Sequence, residues 1–93
     1  KHAASLLSQA LRRYAGDLYG FDGVGATVRE CRLLIREHLD GKPRQDFLHI
    51  LEGLDNLRWS AAELQAERVR ELAADSERWM QAREAAAQEA DVS

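Results

Sequence analysis

The chain has a single cysteine, Cys31, so it can form no internal disulfide and no multi-cysteine zinc site. It has a single proline, Pro43, and six glycines, four of them crowded into residues 16–25. Helix breakers this scarce leave long stretches free to be helical. No apolar run approaches the ~18 residues that a membrane span requires, and no signal-peptide pattern opens the chain. Strand-period alternation is absent, and no segment repeats. The expectation is a soluble protein in a reducing, cytoplasmic setting. The first residue is Lys1 rather than methionine, so the sequence reads as an excised fragment. Its basic residues are nearly all arginine, a composition that points to a GC-rich bacterial coding sequence.

What is present favours helix. Ninety-three residues make one small domain with a single modest core. Hydrophobic residues at 45% and charged residues at 31%, with so few breakers, predict an all-α fold. A net charge of −3 supplies no overall basic field to draw the molecule to nucleic acid or anionic lipid. The charge is unevenly spread. Residues 1–46 carry eight Lys/Arg against six Asp/Glu, whereas residues 47–93 carry five against ten.

At ~100° per residue, Ala3, Leu7, Ala10, Leu11, Tyr14 and Leu18 share one stripe, with Arg12 and Arg13 opposite. The glycine-rich stretch YAGDLYGFDGVGA ends this first helix. Thr27 followed by Glu30 is a capping-box pattern, which opens a second helix with Val28, Cys31, Leu34, Ile35, His38 and Leu39 on one face. Gly41 and Pro43 stop it. A third helix opens near Pro43 and lays Phe47, Ile50, Leu51, Leu54 and Leu57 on one side. Beyond Gly53 there is no further breaker, and two readings compete. In one, the helix breaks near Arg58: Ser60 and Glu63 form a second capping box, and Trp59 staples onto Leu64. In the other, a single helix runs from about Pro43 to about Ala90, with Phe47, Leu54, Ala61, Leu72 and Trp79 in one stripe. The break is favoured, because helices of over forty residues are rare in small domains. The predicted architecture is a small up-down bundle of three to four helices with a long C-terminal helix, one domain over 1–82. The alanine-rich tail, 83–93, is expected to fray.

Candidate sites are few. Arg29, Arg32 and Arg36 line one edge of the second helix, as on a helix that contacts phosphates. The plainer reading is internal. Glu63, Glu67, Glu71 and Asp75 recur every four residues, and an acidic row of that pitch could pair with the arginines if the two helices pack antiparallel. GFDGVG precedes a helix N-terminus, where backbone N–H groups attract anions. Phosphate loops of that kind follow a strand, however, and here a helix precedes. His49 and Glu52 at i, i+3, and Cys31 and His38 on one face, are each incomplete as metal sites, so no metal or cofactor is expected. Arg44 and His49 spell R-x4-H, which resembles the short signature of HEPN-type helical ribonucleases. That resemblance covers six residues and implies RNA cleavage centred on those two side chains. A general base needs a pocket and a matched pKa, neither of which the sequence displays, so the chain is read as non-catalytic.

The remaining signal is apolar surface. Trp79 stands fifteen residues beyond Leu64, or ~22 Å along a helix, at the limit of what the first two helices can cover. Tryptophan and methionine are enriched at interfaces. Val69, Leu72, Trp79 and Met80 are therefore the expected anchors of a protein–protein interaction or assembly module. Such a module would self-associate as a homodimer, or dock a protein partner, through the C-terminal helix. The alternative is a small helical nucleic-acid-binding regulator that uses Arg29, Arg32 and Arg36.

Overall fold

The computed structural model describes residues 2–57 and 62–92. They form four α-helices: α1 (His2–Tyr19), α2 (Val28–Arg36), α3 (Gly41–Asn56) and α4 (Ala62–Val92). No strand occurs among the described residues. The fold is an all-α bundle, and α4 is its longest member. At 1.5 Å per residue its 31 residues span roughly 46 Å, which matches the 47 Å long dimension of the molecule.

Local signals set several boundaries. Both halves of the Thr27 capping box are made: Glu30 N donates to Thr27 Oγ1 and Thr27 N donates to Glu30 Oε1, each at 3.1 Å. These two bonds satisfy donors that the first turn of α2 would otherwise leave free. At the end of α1, Gly20 adopts φ +82, a left-handed backbone that side chains with a Cβ rarely tolerate. There the N–H groups of Gly20 and Phe21 both donate to Gly16 O. α2 stops at Arg36, before His38 and Leu39, and tight bonds from Glu37 N to Leu34 O and from His38 N to Ile35 O close it. His38 therefore leaves the face on which the sequence placed it. It is exposed and stacks on the Tyr19 and Phe21 rings, at centroid distances of 5.5 and 5.9 Å.

α3 and α4 are separate, antiparallel helices. Trp79 Nε1 donates to Pro43 O at 2.8 Å. In one continuous helix those residues, 36 positions apart, would stand roughly 54 Å from each other. Gln65 Nε2 donates to Leu57 O at 2.7 Å, so the start of α4 folds back onto the end of α3. The second capping box and the Trp59 staple fall on 58–61 and on side chains outside the described residues. The alanine-rich stretch expected to fray is helical, as part of α4, through Val92.

α1 runs parallel to α4. The Tyr14 hydroxyl donates to Met80 O at 3.1 Å, and Leu18 lies beside Ala87 and Gln88. The core joins Leu11, Ala15, Cys31, Ile35, Phe47, Ile50, Leu51, Leu54, Leu57, Leu72 and Trp79. All five apolar residues assigned to α3 from their phase are buried. The stripe of α1 is corrected. Ala4, Leu7, Ser8, Leu11, Tyr14 and Ala15 face inward, so Leu7, Leu11 and Tyr14 keep their expected place, while Ala3, Ala10 and Leu18 are exposed. At 100° per residue this rotates the buried face by roughly 50°.

The cause of the rotation is Arg12. Instead of pointing to solvent it is half-buried, donating through Nη1 to Ala26 O at 2.6 Å and through Nε to Ser8 O at 3.3 Å. The glycine segment returns along α1 over this side chain. It comes so close at Gly23 that a Cβ there would lie 1.9 Å from Arg12 O.

Candidate interaction surfaces

The inward stripe of α4 is Gln65, Val69, Leu72, Ser76, Trp79 and Arg83, alternating steps of four and three. This spacing keeps one face of a long helix against a bundle. It includes three of the four anchors expected from sequence, with Met80 beside them. Leu72 is fully buried, Trp79 is 5% exposed, and Val69 and Met80 are half-buried against the core. Trp79 packs on Phe47 at a centroid distance of 5.0 Å and meets Tyr14 edge-on at 6.2 Å. The reach argument fails because α1 lies parallel to α4 and follows it to the level of Ala87, well past Trp79. Leu72 and Trp79 are committed to the molecule's own core, while Val69 and Met80 each keep part of their surface open.

The outer half of α4 is different in kind. Every side chain from Glu84 to Glu89 is exposed, and three consecutive alanines lie between those two carboxylates. No cation follows Arg83 in the sequence.

The arginine row and the acidic row do not pair. α2 packs on α3, α4 packs on α3 and α1, and α2 shares no extended interface with α4. Arg32 forms an ion pair with Glu52 of α3. α4 neutralises its own acids at one-turn spacing, Arg68 with Glu71 and Arg78 with Asp75; the side chain of Glu63 is outside the described set. Arg29 and Arg36 are exposed and have no carboxylate partner among the described residues. Beside them stands Leu33, which is 58% exposed. The sequence reading missed Leu33, although the signal was there. At 100° per residue it lies roughly 160° from both Cys31 and Ile35, with Arg29 and Arg36 on one side of it and Glu30 and Glu37 on the other.

Other candidates are spatially separate. A cleft of about 470 Å³ between the start of α3 and α4 has Trp79 in its wall, with Lys42, Asp46, His49, Asp75 and Arg83 among its lining residues. Lys42 pairs with Asp46 there, and Arg83 Nε is buried without a hydrogen-bond partner. His49 borders this cleft, but Arg44 stands roughly 140° away around α3 and does not line it. The R-x4-H pair is therefore not brought together. Glu52 is engaged by Arg32 rather than by His49. Cys31 is fully buried, and burial raises its thiol pKa, against a smaller lowering by the Arg12 guanidinium. Among the described residues no three His, Cys, Asp or Glu side chains are grouped to hold a metal ion. No described helix is long and apolar enough to cross a membrane. GFDGVG is a helix–helix connection, tied to α1 at Gly23 and closed on itself by Gly25 N donating to Asp22 Oδ1 at 2.9 Å.

No family model matches the chain, and no curated protein or solved structure matches it. The surfaces themselves carry the functional reading.

Proposed function

We propose that the chain is a non-catalytic protein–protein interaction or assembly module that self-associates through the C-terminal helix. One observation carries this reading. α4 stays helical through Val92 while its described side chains from Glu84 to Glu89 are all exposed. These turns meet α1 beside Tyr14 and Leu18 but bury little there, and helical turns that bury little are marginal in water, so an exposed helical end of this length is best explained as one face of a contact. The exposed leucines support it, since Leu6, Leu18 and Leu33 lie outside the core. The contact uses the outer surface of α4, because the Leu72–Trp79 face is occupied by the molecule's own core. Sedimentation equilibrium over a wide concentration range tests it. The expected result is reversible association, and a monomer at several hundred micromolar ends the reading.

A second reading, a small helical nucleic-acid-binding regulator, draws on the exposure of Arg29 and Arg36. It predicts salt-dependent binding to generic DNA or RNA that is lost when the two arginines are reversed. Absence of binding at low salt ends that reading.

A further inference from the structure

The outermost residue of α2 is Leu33, which points away from the fully buried Cys31 and Ile35. Arg29 and Arg36 run along one edge of it and Glu30 and Glu37 along the other, and all five are exposed. Within α2 none of the four charges has an opposite charge three or four positions away. The one-turn pairing seen on α4 is therefore closed to them. Among the described residues Arg29, Arg36 and Glu37 have no ion-pair partner, and Glu30 engages one oxygen with Thr27 N. Two of the four also oppose the helix dipole. Arg29 stands in the first turn and Glu37 is the C-cap, where the opposite signs are favoured. Local rules broken in this way are expected where a surface has a further use.

We infer that the Leu33 ridge is a two-fold contact, on which the α2 of a second copy of this chain lies parallel. The strip is complementary to itself in one orientation. With the two-fold axis parallel to α2, the arginine edge of each helix meets the glutamate edge of the other, and Leu33 faces Leu33 across the axis. Arg29 then comes level with Glu30 of the second copy and Arg36 with its Glu37, each to within one residue, or ~1.5 Å along the helix. With the axis across α2 the helices are antiparallel, so arginine meets arginine and glutamate meets glutamate. Like charges across an interface disfavour that orientation. The same pattern selects the occupant. A polyanion or a basic peptide matches one edge and is repelled by the other, whereas a second α2 matches both and covers the leucine. The ridge is short beside the ~800 Å² per partner of a standard interface, so the contact is a transient one and weakens with salt. It lies on a different surface from the α4 contact and does not depend on it.

The test is sedimentation velocity of the full chain at low salt, with Arg36→Glu, Glu37→Arg and the two changes together. Both positions are exposed and lie outside the Thr27–Glu30 box, and circular dichroism checks that each variant keeps its helix content. Each single variant should associate more weakly than the parent chain by roughly tenfold, because two like-charged pairs replace two matched ones. The double variant should regain association, since its two edges have only exchanged signs. An equimolar mixture of the two single variants should regain it as well. Leu33→Ser, which leaves every charge in place, should weaken the parent contact. Failure of the double variant to recover means that the arginines meet some other surface, and the inference is overturned. Stronger association of Arg36→Glu means that the helices lie antiparallel and the parallel contact is wrong. If the parent chain associates and neither reversal changes it, the α2 contact is wrong while the α4 contact survives. A parent chain that stays monomeric at several hundred micromolar overturns the inference, whether or not its arginines bind nucleic acid.

Discussion

Truncating Trp79 to alanine removes a ring packed on Phe47 and Tyr14, together with the bond to Pro43 O. A change of this kind costs about 3–5 kcal/mol, a large part of a small domain's total stability. Urea unfolding of Trp79→Ala against the parent chain measures it directly. Trp79→Phe keeps most of the volume and drops the donor, so its expected loss is nearer 1 kcal/mol. Two titratable side chains give a second prediction. Burial raises the pKa of the Tyr14 hydroxyl, reinforced by the Glu84 carboxylate, and burial raises the thiol of Cys31. In both cases the native state holds its proton more tightly than the unfolded chain. Their contribution is fully present below the unfolded pKa values and drains away as pH rises through the native ones. The urea midpoint should therefore fall on going from pH about 8 to about 11. A midpoint that rises over that range contradicts the assignment. Native Cys31 should also react with a thiol reagent far more slowly than the same residue in urea.

At the scale of the element, α2 and the loop before it show why some features could be read in advance and others could not. The Thr27–Glu30 box depends on residues three apart, so its spacing alone announces it. Thr27→Ala should cost about 1 kcal/mol, read as a lower thermal midpoint. The carboxyl of Glu30 is held below its ordinary range by the bonds it accepts at Thr27. A depressed pKa contributes stability above the unfolded value and loses it as pH falls through the native one, so the effect of Thr27→Ala should shrink in acid. The phase of α3 was equally legible, because one strong stripe packs against three neighbours. The face of α1 was not. Its rotation follows from Arg12 reaching Ala26, fourteen residues away, and from the backbone of Gly23 lying on Arg12. Neither contact leaves a periodic trace. Gly23→Ala forces the loop off α1 and should cost about 1–3 kcal/mol, measured in the same urea series. The interaction surface divides the same way. The exposure of Arg29 and Arg36 follows from the phase of α2, whereas the burial of Trp79 depends on α1 running parallel to α4, which no local pattern records.

For the whole molecule the governing fact is an unequal partition of charge that the fold does not cancel. The N-terminal half is net basic and the C-terminal half net acidic. Among the described residues Arg32 with Glu52 is the ion pair that joins the two halves, and Arg29 and Arg36 have no carboxylate partner. Surface pairs of this sort are worth little singly, so the arrangement acts on what the molecule meets rather than on how firmly it folds. Rising salt should weaken self-association while leaving the urea midpoint of the monomer nearly unchanged. The central claim is that the exposed end of α4 is covered by another copy. Amide hydrogen exchange along α4, compared at low micromolar and several hundred micromolar protein, tests it most directly. The account predicts that amides from residue 84 onward exchange markedly more slowly at the higher concentration, while those around Leu72 and Trp79 do not change. Identical exchange of residues 84–92 at both concentrations would contradict it.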